Sequence, residues 1–159
     1  MNIRYFSLIV LLIMSFLAPV QAQTYDKMWK DLEVLEGKDL PKSVVSEAMK
    51  IYDKAKAEQN VPQMMKAYLT AMQYRALLTP DSLSVDMKGL EQWASRTTNI
   101  EDKAVLYSIL GEMTMRNDVK QGFNYLRLSL KDKDRLLLVP VEKLKPMVKV
   151  GETSKRYFR

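Results

Sequence analysis

PKSVVSEAMKIYDKAKAEQNVPQMMKAYLTAMQYRALL, residues 41–78, is the stretch whose reading decides the fold. Val44, Val45, Ala48, Met49, Tyr52 and Ala55 recur at spacings of three and four up to about Gln59, the period of one buried helix stripe. Asn60-Val61-Pro62-Gln63 then interrupts the pattern: Asn60 suits an N-cap, Pro62 is tolerated in a first turn, and Gln63 stands where a capping box wants an amide. A second stripe follows at once, with Met64, Met65, Tyr68, Leu69, Met72, Ala76 and Leu77, and ends before Thr79-Pro80-Asp81-Ser82. Two long helices joined by so short a connection must pack antiparallel, and Ala67 and Ala71 are the small residues that close packing requires.

The same logic extends both ways. Upstream, Tyr25, Met28, Trp29, Leu32 and Leu35 predict a helix over 25–36 that Gly37 ends with a left-handed residue, and Asp39 with Pro41 opens the next. Downstream, a helix over about 83–96 turns Leu83, Met87, Leu90, Trp93 and Ala94 inward. Asn99 and Asp102 start another that buries Ala104, Val105, Tyr107, Leu110 and Met113 to about Arg116. A helix from Val119 to about Leu130 carries Phe123, Tyr125, Leu126 and Leu130, weakened by about 1 kcal/mol at Gly122. The apolar run 136–140 is compatible with more than one conformation. No segment alternates apolar with polar as a strand would.

The expected fold class is therefore all-α: antiparallel helical hairpins stacked as a short tetratricopeptide-like α-solenoid or bundle. The full repeat signature is absent, so the likeness is one of architecture only. Three regions are expected, with a signal peptide at 1–22, a helical domain at 23–135, and an apolar then irregular tail at 136–159 that reads as the start of a missing continuation. Arg4 followed by the apolar run 8–16 and by Ala18-Pro19-Val20-Gln21-Ala22 has the layout of an export signal, with Gln23 as the first mature residue. An uncleaved anchor is the alternative, although the run is short for a bilayer span. Lacking a cysteine, the chain is not lipidated there.

Composition removes most chemistries. The chain contains neither cysteine nor histidine, so thiolate nucleophiles, disulfides, thiolate-ligated zinc and the usual neutral general base are all missing. The carboxylate pairs Glu101/Asp102 and Asp132/Asp134 fall at a helix start and an exposed turn. No phosphate loop or nucleophile motif accompanies them, and no enzyme, cofactor or metal site is expected. The formal charge of +6, one less without Arg4, is spread in short clusters such as Lys54/Lys56 and Lys131/Lys133/Arg135, which argues against nucleic-acid binding. The eleven methionines suit core filling or an adaptable binding surface.

Several runs carry a family likeness: Tyr25 to Lys30, Lys38 to Val44, Gln63 to Leu69, Leu78 to Ser82, and Gly89-Leu90-Glu91-Gln92-Trp93. Together they resemble the extreme N-terminus of the large exported alpha-2-macroglobulin-like proteins of Bacteroides-type bacteria, over most of residues 24–115. The resemblance becomes diffuse after Asn117, although 138–140 and 154–158 also look like that region. It implies a fragment or truncated copy of a much longer protease-trapping protein in the periplasm or cell envelope of a Gram-negative bacterium. Neither bait region nor thioester lies here: Gly89-Leu90-Glu91-Gln92 has glycine where the thioester cysteine would be. No family site residue carries over.

On this reading the chain is a non-catalytic interaction or scaffold module whose partner is protein, either its own macroglobulin domains or another envelope protein, with no membrane span after signal cleavage. Tyr25 and Trp29 are the expected docking pair, exposed on the first helix; capping of a solenoid end is the other role open to them. The alternative is a free-standing tetratricopeptide-like adaptor that binds a peptide or protein of an envelope complex.

Overall fold

In the computed structural model the described residues are 24–133. They hold six α-helices and no strand: α1 (24–37), α2 (Pro41–Ala57), α3 (Val61–Leu78), α4 (Ser82–Arg96), α5 (Ile100–Thr114) and α6 (Val119–Ser129). The all-α class and the helix boundaries read from the sequence hold within a few residues. The expectations for the signal segment at 1–22, for Asp134 and for the tail at 136–159 lie outside the described residues. The chain divides between Leu40 and Pro41 into two compact units.

In the first unit α1 buries Tyr25, Trp29 and Leu32. Its C-terminus corrects the sequence reading. Gly37 stays inside the helix, and Asp39 takes the left-handed conformation at φ 53°. The amide of Asp39 donates to the Glu36 carbonyl at 3.0 Å and that of Leu40 to the Leu35 carbonyl at 3.3 Å, the pair of bonds that closes a Schellman motif. Asp39 is thus a stop rather than the cap of α2, which begins at Pro41.

The second unit repeats the device at the end of α2. Gln59 has φ 55°, its amide donates to the Lys56 carbonyl at 3.2 Å, and the Asn60 amide donates to the Ala55 carbonyl at 2.8 Å. Asn60 then opens α3, its side chain accepting from the Gln63 amide at 3.4 Å. One residue thus ends one helix and begins the next, which is why the joint is so short. Asn99 and Asp118 cap α5 and α6 in the same way, each accepting at 2.9 Å from an amide three residues on. Asp81 at the start of α4 makes no side-chain capping bond.

The closest packing is between α2 and α3 and between α5 and α6, with α4 set against α3 and α5. α3 is buried on more than one side: Met65, Leu69 and Met72 enter the main core, and Ala67, Thr70 and Ala71 are fully buried as well. The Thr70 hydroxyl is satisfied locally, donating to the Lys66 carbonyl at 2.9 Å. The core continues through Leu90, Ala94, Leu106, Ile109, Leu110, Met113 and Tyr125.

Several stripe assignments need correction. On α2, Ile51 is fully buried while Val45, Met49 and Tyr52 are only half-buried. On α5 the buried line is Leu106, Ile109, Leu110 and Met113, with Ala104, Val105 and Tyr107 at its margin. Leu77, Phe123 and Leu130 are exposed. A helix held between two neighbours buries more than one stripe, so its apolar residues no longer mark a single face.

Gly122 explains part of this. An added Cβ there would lie 2.7 Å from Met115 Cγ and 2.9 Å from both Met115 Cα and Met115 N, and one at Gly111 would lie 2.6 Å from Leu126 Cδ2. The two glycines let α5 and α6 cross at close range, which the sequence reading counted only as a weakness of α6.

Candidate functional site

Three aromatic side chains from three successive helices meet in the second unit. Tyr52 comes from α2, Tyr68 from α3 and Trp93 from α4, with ring centroids 6.0 Å apart for Tyr52 and Tyr68, 6.3 Å for Tyr52 and Trp93, and 6.0 Å for Tyr68 and Trp93. Trp93 meets both tyrosines edge to face, at 87° and 80°, the arrangement that ring quadrupoles favour. All three are half-buried, and Tyr68 and Trp93 rest directly on the main core. The triangle therefore rests on the core and each of its rings stays partly accessible.

A polar clamp fixes the orientation of Tyr68. The Arg75 guanidinium donates from Nε to Asp86 Oδ2 at 3.0 Å and from Nη2 to Asp86 Oδ1 at 2.8 Å, a bidentate bridge between α3 and α4. The same guanidinium lies 5.8 Å from the Tyr68 ring centroid, and its Nη1 points to Met49 Sδ at 3.6 Å. The Tyr68 hydroxyl donates to the Asp86 carbonyl oxygen at 3.1 Å. Glycine at residue 89 leaves room for it, since a Cβ there would stand 2.6 Å from the Tyr68 hydroxyl oxygen. Burial first, then the Asp86 charge, pushes the Tyr68 phenol up to about 12, so it remains a neutral donor at any physiological pH.

The register of two antiparallel helices explains why these residues meet. Tyr68 and Arg75 are seven residues apart on α3, and Asp86 and Trp93 are seven apart on α4. Each pair lies on one helix face, and the turn at Thr79-Pro80 sets Arg75 beside Asp86 and Tyr68 beside Trp93. The sequence reading places Met49, Tyr52, Tyr68 and Trp93 in buried stripes and misses Arg75 and Asp86. The matched spacing was the available signal.

Other chemistry is sparse. Among the described residues no group of three or more Asp and Glu could hold a metal ion, and no helix is long and apolar enough to cross a membrane. Glu101 and Asp102 do fall in the first turn of α5, but Asp102 is buried rather than solvated. Burial, and then the neighbouring Glu101 charge, push its carboxyl up to about 6. Gly89 to Gln92 lie within α4.

No family model, curated protein or solved structure matches this chain. Tyr25 and Trp29, the docking pair expected from the sequence, are 4% and 8% exposed, so the accessible aromatic pair assumed on α1 is not found there. The three rings of the triangle are half-buried, as are Tyr74 and Tyr107, and Phe123 is exposed.

Proposed function

We propose that this chain is a non-catalytic protein-interaction module that binds a partner through the Tyr52, Tyr68 and Trp93 triangle. The observation that carries the reading is the triangle itself. Three amphipathic rings from three helices meet half-buried, Tyr68 among them held by a bidentate clamp, and such rigid aromatic anchors contribute most of the binding energy at protein interfaces while losing little entropy on binding. The unit that carries them is a short solenoid of tetratricopeptide type; its extensive contacts run between helices adjacent in sequence, which supports that arrangement. The sequence runs quoted above support placing it in an exported alpha-2-macroglobulin-like protein of a Gram-negative cell envelope, where it would engage that protein's own domains or a periplasmic neighbour. A free-standing adaptor is the second reading, favoured by one apolar core that runs from α3 to α6.

The test is a pair of measurements on the native protein. Photo-crosslinking from a residue placed at position 52 should give a discrete protein adduct, whereas the same group at Val85, which is 69% exposed on α4, should give none. Equal labelling at both positions refutes docking at the triangle. An immunoblot of the envelope fraction separates the two settings: a band many times heavier than the 18.4 kDa of this chain supports the macroglobulin-like protein, and a band no heavier than that supports the adaptor.

A further inference from the structure

We infer that the triangle recognises an acidic segment of extended chain, in which a side-chain carboxylate stands two residues from an apolar or aromatic anchor. The inference rests on the docking role proposed for the triangle and names the chemistry of its ligand. α2 and α3 are antiparallel, as are α3 and α4, so α2 and α4 run in the same direction. One turn beyond Tyr52 on α2 is Lys56, and one turn beyond Trp93 on α4 is Arg96. Both steps point the same way, which puts the two cations at the same end of the ring cluster.

Both side chains are exposed, and neither has an ion-pair partner among the described residues. Their neighbours differ: Lys54 is engaged by Glu58, and Arg75 by Asp86. The first turn of α3, which starts at this same end, contains no acidic residue. Lys56 and Arg96 thus place two cations without an ion-pair partner among the described residues beside the aromatic floor. Asp53, Glu58 and, in the first turn of α5, Glu101 are among the nearest acids in sequence, and the complement of the two cations is an anionic group.

Helix rise sets the spacing. Four residues from Tyr52 to Lys56 cover about 6 Å along the axis. An extended peptide advances about 3.3–3.6 Å per residue, so an apolar side chain seated on the rings places the carboxylate of the second residue along at Lys56 and Arg96.

The test uses the full chain and three fluorescein-labelled peptides with blocked ends, identical except that phenylalanine is flanked two residues away by glutamate, glutamine or lysine. Fluorescence anisotropy should show the glutamate peptide binding about fivefold more tightly than the glutamine peptide, the scale of two exposed ion pairs. The double variant Lys56→Glu/Arg96→Glu should reverse the order and prefer the lysine peptide, a gain that a misfolded chain would not show. Equal binding of glutamate and glutamine peptides, or an unchanged order in the double variant, overturns the inference and leaves the docking role standing. Binding of none of the three overturns both.

Discussion

Replacing Gly122 with alanine sets two physical effects against each other, and the structure decides the sign. Helix propensity alone predicts a gain, because alanine in a helix interior is about 1 kcal/mol better than glycine. Against it stands the α5 backbone. The new Cβ would lie 2.9 Å from Met115 N and 2.9 Å from Met115 Cα, with Met115 Cγ at 2.7 Å. The side-chain atom can swing away, but the two backbone atoms move only if α6 lifts off α5. Overpacking of this kind typically costs 1–3 kcal/mol, and backbone contacts belong at the upper end. Subtracting the propensity gain leaves a net loss of about 2 kcal/mol, or roughly 10 °C in Tm for a unit of this size. Urea unfolding followed by helical circular dichroism measures it. Gly37→Ala is the matched control: it lies inside α1 with nothing within 4 Å of its added Cβ, so alanine there should stabilise by about 0.5 kcal/mol. A Gly122→Ala protein as stable as the parent, or more so, would refute the close crossing of α5 and α6.

Three further outcomes follow from the same structure. Gln59→Gly should stabilise by about 0.5–1 kcal/mol in chemical denaturation, because it relieves a left-handed residue at φ 55°; a loss would mean that the Schellman stop at Gln59 is not the conformation in solution. Across Arg75→Met, Asp86→Leu and the double variant, the coupling energy should be about 1–2 kcal/mol, with the double variant more stable than Asp86→Leu alone; additivity would dissolve the clamp. Asp102 has a folded-state pKa near 6, above that of an unfolded carboxylate, so it favours the folded state below about pH 4 and loses that contribution as pH rises through 6. Stability should therefore fall by at most about 2 kcal/mol between pH 4.5 and pH 7, and Asp102→Asn should flatten this part of the profile; an unaltered profile shows that Asp102 is not the group responsible.

Local chemistry determined much of this protein. The period of apolar residues gave the helices, Asn60, Asn99 and Asp118 gave their starts, and the three-residue joint between α2 and α3 forced an antiparallel pair. These features depend on residues a few positions apart, so they are legible in a linear chain. The left-handed stop at Asp39 in place of Gly37 is local too, set by the last backbone bonds of α1. Tertiary structure decided what depends on which surfaces meet. It turned Gly122 from a weak point into a contact, buried Tyr25 and Trp29, and left Phe123 and Leu130 in solvent. It also joined Arg75 to Asp86 and Tyr68 to Trp93, pairs whose two sevenfold spacings become one site only when α3 and α4 lie side by side in antiparallel register. Periodicity specifies that a residue faces inward on its helix, whereas only the packing of neighbouring helices specifies what it finds there.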